Sequence, residues 1–198
     1  MKKRTLLMMM AGLLLGSAVW AADDAATDKD LLNRPLIAYP KGYELKNGTG
    51  DSLSVVDVDG KKALQFKSDK QVYIRLRSGF SSFKPKTKYV MTCEVKITDM
   101  KVKKRKRGVM LQVKSAPGKP YVWVSIIHSG STEGWVTVTL PFDTGAKPKF
   151  CKSRVSIFIL DLAGTVLFRN LKITETTEEL TRGFQIGEDF VPKAYLKL

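Results

Sequence analysis

"FKPKTKYVMTCEVKITDM", residues 83–100, reads with a period of two, not 3.6. Tyr89, Met91, Cys93, Val95 and Ile97 fall on one side of an extended chain, and Thr92, Glu94 and Lys96 on the other. Successive side chains of a strand point to opposite faces, so this is a strand with one face in a core and one face in water. The same pattern recurs on both sides of it. "SLSVVDV" (52–58) ends at Asp59-Gly60, a pair suited to a hairpin turn. "KALQFKS" (62–68) returns from it. In "QVYIRLRS" (71–78), Val72, Ile74 and Leu76 point one way, and Tyr73, Arg75 and Arg77 the other. Downstream come "GVMLQVKS" (108–115), a break at "PGKP" (117–120), "YVWVSIIH" (121–128), "GWVTVTLPFDT" (134–144), "SRVSIFILDL" (153–162) and "GTVLFRNLKITE" (164–175). Short strands at this spacing, parted by Gly, Pro and Asp, predict an all-β fold, an antiparallel β-sandwich over residues 35–175. The extension 176–198 holds at most one short helix, with a capping box at Thr176 and Glu179 and a stop at Gly183.

The N-terminus sets the compartment. Lys2, Lys3 and Arg4 precede an uncharged stretch from Thr5 to Val19, and Val19-Trp20-Ala21 gives the small-x-small pattern of a cleavage site. That layout predicts a signal peptide over residues 1–21. The apolar stretch is shorter than the ~20 residues a spanning helix needs. The expected mature chain therefore has no transmembrane segment and is periplasmic or secreted. Residues 22–34, "ADDAATDKDLLNR", are small and polar and read as a flexible lead-in.

The chain carries 34 Lys and Arg against 19 Asp and Glu, a formal charge of +15, and stays basic without Lys2, Lys3 and Arg4. In an exported protein this points to anionic envelope polymers rather than to nucleic acid. Six cations crowd into Lys101–Arg107, between two apolar strands. The run reads as the tip of a hairpin, where cations discourage edge-to-edge pairing. Alternatively Lys103, Lys104, Arg105, Lys106 and Arg107 form a basic finger touching a polyanion. Cys93 and Cys151 are the only cysteines. An oxidising compartment permits a disulfide, and the apolar setting of Cys93 suits a buried thiol, so both remain open.

Little points to catalysis. His128 is the single histidine, so no His-based metal cluster is expected, and a Ser/His/Asp triad would have to use it. "GDSL" at 50–53 lacks the strand–Ser–helix setting of the esterase motif it resembles in letters. Glu94, Glu133, Asp143 and Asp161 are candidate acids, but no spacing pairs them for glycoside cleavage.

"TKYVMTCEVKI", "EGWVTVTLPFDT" and "VSIFILDLAGTVLFRNLKITE", in that order across residues 52–175, resemble the strands of jelly-roll carbohydrate-binding modules of the galactose-binding-like type. The resemblance implies a jelly roll and a glycan ligand, with Trp135 in a packing role. Many such modules carry Asp in the last strand, where it helps hold a structural calcium. Arg169 and Asn170 stand there instead, so no metal or other cofactor is expected.

A sugar offers C–H faces to aromatic rings and hydroxyls to polar side chains. Tyr73, Arg75 and Arg77 share one strand face, and Tyr121, Trp123 and Ser125 share another. Turned outward on one sheet, Tyr73, Arg75, Arg77, Tyr121 and Trp123 make a ligand groove; turned inward, Tyr121 and Trp123 are core. Guanidinium forks suit a carboxylate or sulfate. The expected function is a non-catalytic glycan-binding module, favouring acidic polysaccharide. The alternatives are an adaptor docking onto another envelope protein through the basic hairpin, and a polysaccharide lyase or hydrolase.

Overall fold

Tyr89, Met91, Cys93, Val95 and Ile97 are all fully buried, as their alternation requires. They lie on β4, Lys88–Val102, in a computed structural model that describes residues 52–77, 81–103, 108–115, 121–147 and 151–198. The expected signal peptide, the lead-in, the segment 35–51, the "PGKP" break and the cations Lys104, Arg105, Lys106 and Arg107 lie outside the described residues. The other strands are β1 Leu53–Val58, β2 Lys61–Arg77, β3 Ser81–Ser82, β5 Gly108–Ser115, β6 Tyr121–Ile127, β7 Val136–Asp143, β8 Lys152–Glu175, β9 Gly183–Ile186, β10 Asp189–Val191 and β11 Tyr195–Lys197.

The strands form one hydrogen-bonded sheet, ordered β10-β9-β7-β4-β8-β5-β6-β11, with β2 along the far side of β8 and β1 outside β2. This sheet folds over on itself. The N-terminal half of β8 pairs with β5 and with the end of β2, from Ile74 to Arg77. Its C-terminal half pairs with β4 and with the start of β2, from Leu64 to Ser68. Two layers result: β11-β6-β5-β8-β2 and β10-β9-β7-β4-β8-β2-β1. The architecture is the antiparallel β-sandwich that the alternation predicts and the jelly roll that the resemblance implies. One pair departs from the antiparallel rule: β11 runs parallel to β6.

Apolar residues from both layers fill a single core, among them Phe66, Ile74, Leu111, Ile126, Val138, Ile159 and Phe168. Phe83, Tyr89 and Phe142 close one end as an aromatic cluster, with ring centroids 4.9 to 5.6 Å apart. The buried Tyr89 hydroxyl is satisfied by the Lys84 amide, which donates to it at 3.0 Å. At the β1–β2 hairpin, Asp59 and Gly60 both take positive φ, the geometry of a two-residue turn whose twist matches its strands.

Several expectations need correcting. Residues 62–68 and 71–78 belong to one strand, β2, and residues 153–162 and 164–175 to one strand, β8. The Gly and Asp that read as turns there are bulges. Leu160 and Asp161 together oppose Tyr73, with Asp161 at φ 49°. Asp99 and Met100 of β4 oppose Gly164. A bulge adds a residue and sharpens the local twist without ending the pairing. The strands that flank the basic run are not a hairpin either: β4 pairs with β7 and β8, and β5 with β6 and β8. Among the described residues there is no α-helix, within the expected limit of one short helix. Residues 176–198 instead give β9 and β10 to one layer and β11 to the other.

Gly164 marks the fold line. Its φ is +117°, and a Cβ there would lie 2.6 Å from the Asp99 carbonyl oxygen. Gly60 also has positive φ, but a Cβ there would meet nothing within 4 Å. Gly60→Ala should therefore cost about 1 kcal/mol, from the left-handed backbone alone. Gly164→Ala should cost about 2 kcal/mol or more, because backbone must also move. Urea unfolding midpoints of the two variants check this; equal losses would refute the close approach.

Candidate functional site

The outward faces of β2, β8, β5 and β6 meet in a groove of about 280 Å³. Register dictates which side chains share it. Arg75 pairs with Phe158, which pairs with Met110, which pairs with Ser125. One step along, Arg77, Ser156, Gln112 and Trp123 form the next rung. Beyond that come Arg154, Lys114 and Tyr121. In each strand the alternate residues, such as Ile74, Ile157, Leu111 and Val124, point into the core. The strand period thus obliges every one of these polar and aromatic groups to face the same way.

The floor is buried and mostly polar: Gln112 and Ser156 lie there beside Phe158. Tyr73, Arg75, Arg77, Lys114, Arg154 and the exposed Tyr121 form the walls. Among the described residues, no Asp or Glu lines the groove. Arg75 is held in place: one Nη donates to the Tyr73 hydroxyl at 3.0 Å, and the guanidinium carbon sits 4.6 Å from the Phe158 ring centroid. Stacking on Phe158 and bonding to Tyr73 fix the plane of the fork before any ligand arrives. The Lys114 ammonium lies 5.8 Å from the Tyr121 ring centroid. Four cations, two tyrosine rings and a buried amide can hold an anionic group with hydroxyls around it.

Of the residues singled out from sequence, Tyr73, Arg75, Arg77 and Tyr121 come together in this groove. Trp123 faces the same side but sits outside the groove. Its ring packs edge-on against Tyr195 at 4.9 Å, with the Arg182 guanidinium carbon 5.7 Å from its centroid. Lys103 is exposed at the start of the basic run, and Lys104 to Arg107 are not described. Sequence reasoning missed Gln112, Lys114, Arg154, Ser156 and Phe158. Their signal was present: Gln112 and Lys114 alternate with Leu111 and Val113, as Arg154, Ser156 and Phe158 do with Val155 and Ile157.

Cys93 and Cys151 form no disulfide; both thiols are buried. No group of three or more metal-ligating side chains occurs among the described residues. Likewise, no helix among them is long and apolar enough to cross a membrane.

No protein-family model matches the chain, and no curated protein matches it in sequence. Its structure is similar to those of carbohydrate-binding modules. One is a family 61 module solved with β-1,4-galactotriose, 15% identical, the match covering 64% of this chain and 84% of that one, with a TM-score of 0.45. Another is a family 16 module, 17% identical, with 63% and 86% coverage and a TM-score of 0.43. A third is the C-terminal family 6 module of a laminarinase from Zobellia galactanivorans, 13% identical, with 62% and 88% coverage and a TM-score of 0.38.

On the opposite layer, the residues that stand where many such modules carry Asp make an ion-pair cluster. Glu94 pairs with Arg169 across β4 and β8, while Thr92 pairs with Lys172, so Asn170 and Leu171 together oppose Cys93. Asn170 takes φ 53° in this bulge, which leaves both Arg169 and Asn170 on the outer face. Arg169 Nε and Asn170 Nδ2 each donate to the Glu94 carboxylate at 2.5 Å. The Arg169 guanidinium carbon lies 3.8 Å from the Trp135 ring centroid. The Glu94 carboxylate is thus taken up by Arg169 and Asn170. Burial pushes the Glu94 carboxyl up, but the two hydrogen bonds and the Arg169 charge outweigh it and hold the group below its ordinary 4.5.

A carboxyl depressed in the folded state contributes stability that is present above its unfolded pKa. That contribution should be fully present above pH 4.5 and lost as the pH falls through the folded value. Melting temperatures measured from pH 7 downward should show this loss in the parent chain. Glu94→Gln should be less stable at neutral pH and lose less on acidification; a parallel acid profile would refute the assignment.

Proposed function

We propose that this chain is an exported, non-catalytic glycan-binding module that holds an acidic polysaccharide in the groove across β2, β8, β5 and β6. One observation carries the reading: Lys114 and Arg154 are direct cross-strand partners on the outer face, with Arg75 and Arg77 beside them and no carboxylate among the described residues that line the groove. Like charges directly opposite each other destabilise a sheet. A bound anion removes that penalty, and a guanidinium fork receives carboxylate or sulfate with two parallel bonds. Tyr73 and Tyr121 supply ring faces for sugar C–H groups, and Gln112 supplies an amide for a hydroxyl. Export is supported by the N-terminal layout of Lys2 to Ala21.

Native affinity electrophoresis through acidic and neutral polysaccharides, at low and high salt, tests the reading. The parent chain should be retarded by acidic polymer, less so at high salt, without generating unsaturated or shortened products. Arg75→Ala and Lys114→Glu should lose the retardation, and a variant with Lys103 to Arg107 neutralised should keep it. Lys114→Glu replaces a repulsive cross-strand pair with an attractive one, so it should gain about 0.2–1 kcal/mol of stability while losing the ligand. Retardation that depends on the basic run alone, or that survives both groove variants, would refute the groove.

A further inference from the structure

A second cavity, of about 320 Å³, lies where β2, β8 and β4 pass the fold line. Its floor is the middle strand. Ala163, Gly164 and Thr165 of β8 are short, so the surface sinks there between two taller walls. β2 lines one wall with Lys67 and Asp69, and β4 lines the other with Asp99 and Lys101. Register sets the walls against each other. Lys67, Thr165 and Thr98 form one rung. In the next, Ser68 pairs with Gly164, and Asp99 and Met100 together oppose that glycine. The bulge divides its two residues: Met100 is buried in the core, while Asp99, at φ 53°, stays exposed beside the cavity. Lys101, opposite Ala163, is exposed as well. Each wall therefore carries one ammonium and one carboxylate. β2 and β4 lie two strand spacings apart, about 9.5 Å, which holds the charges of one wall away from those of the other. Among the described residues, no hydrogen bond or ion pair engages the side chains of Lys67, Asp69, Asp99 or Lys101. Elsewhere on this layer opposite charges do close on each other, as Lys84 does on Glu175 and Arg169 on Glu94.

We propose that this cavity is a second binding site, separate from the groove, for a small zwitterion that carries an ammonium and a carboxylate on one short frame. The ligand's ammonium goes to Asp69 or Asp99, and its carboxylate to Lys67 or Lys101. A ligand of a single sign meets one attraction and one repulsion on each wall, and an uncharged ligand engages neither charge. Only a ligand of both signs complements walls of both signs, and each contact it makes is a charge-assisted hydrogen bond. The Thr98 and Thr165 hydroxyls stand between the walls, where they can bond an amide or hydroxyl of the frame. The cations here are lysines. A compact ammonium on a flexible stem reaches into a trough and meets one oxygen, whereas the arginines of the groove present planar forks. An amino acid or dipeptide has the required chemistry, and so does an amino sugar joined to a uronic acid. A polyanion does not: Asp69 and Asp99 repel the ligand that suits the groove.

NMR titration of the isotope-labelled full chain with glycylglycine and with a glucosamine–glucuronate disaccharide tests this. The two arms separate a peptide frame from a sugar frame. At least one ligand should move the amide signals of Thr98, Asp99, Lys101, Gly164 and Thr165, and glycylglycine should leave those of Gln112 and Lys114 still. Acetylating the ammonium or amidating the carboxylate of the ligand that binds should each weaken it about tenfold, the loss of one charged hydrogen bond. Asp99→Asn and Lys101→Gln should weaken it to the same extent. Asparagine tolerates the left-handed backbone at position 99 and both side chains are exposed, so both variants should melt with the parent chain. Arg75→Ala, a groove variant, should bind the zwitterion as the parent does. Blocked ligands that bind as tightly as the free ones, or fold-line amides that neither ligand moves, would overturn this site and leave the groove standing.

Discussion

Everything in this sandwich hangs on the pairing of β2 with β8. No other pair of strands runs through both layers: β2 follows β8 from Leu64 opposite Phe168 to Arg77 opposite Ser156. Two strands that turn the corner together stay paired on both sides of the bend, where their backbone groups satisfy one another. The bend itself is made by bulges at matching heights on β2, β4 and β8. There Gly164 lets the Asp99 carbonyl approach closer than any side chain would allow. Phe66 and Ile74 on β2, with Ile159 and Phe168 on β8, then reach one shared core from both layers.

The groove is a consequence of that same corner. Past the bulge at Leu160 and Asp161, the strand period starts afresh, and it sends Arg154, Ser156 and Phe158 outward. Antiparallel register aligns them with Arg75 and Arg77 on one side and with Met110, Gln112 and Lys114 on the other. Burial is what turns these rungs from a surface into a site. Gln112, Ser156 and Phe158 lie on an outer face and are nevertheless buried, because Arg75, Lys114 and the two tyrosines rise around them. The second layer uses a bulge differently. There Asn170 steps out of phase so that it joins Arg169 on Glu94, and the cations on that face are answered by carboxylate.

Much of this was legible in the sequence because alternation is a local property. The faces of β4, β5 and β7 follow from period two, and Tyr73, Arg75, Arg77 and Tyr121 were recognisable as outward residues once a sheet was granted. What was not legible depends on pairing. A bulge and a turn use the same residues, Asp and Gly at positive φ, and only the partner strands distinguish them. Hence β8 read as two strands. The link between β4 and β5 read as a hairpin because sequence neighbours usually pair, yet β4 takes β7 and β8, and β5 takes β6 and β8. Lys114 and Arg154 are 40 residues apart and mean nothing until register sets them opposite each other. Arg182 and Tyr195 were hidden more deeply. The segment that holds them has no strong strand pattern, and it reaches Trp123 only because β11 adds parallel to β6.

The two outer faces therefore make a contrast that bears on function. Both carry arginine next to an aromatic ring. On one face Arg169 lies over Trp135 and also bonds Glu94, so charge and ring are both engaged within the fold. On the other, Arg75, Lys114 and Arg182 lie beside tyrosine and tryptophan, and no carboxylate is among the described residues that line the groove. A chain that only needed solubility would gain by mixing acids into that face, as it has done on the opposite layer. Lys114 stands across from Arg154 on that face. The proposed ligand site rests on this contrast: cations gathered around an aromatic-edged groove on one layer, and an arginine bonded to a carboxylate on the other.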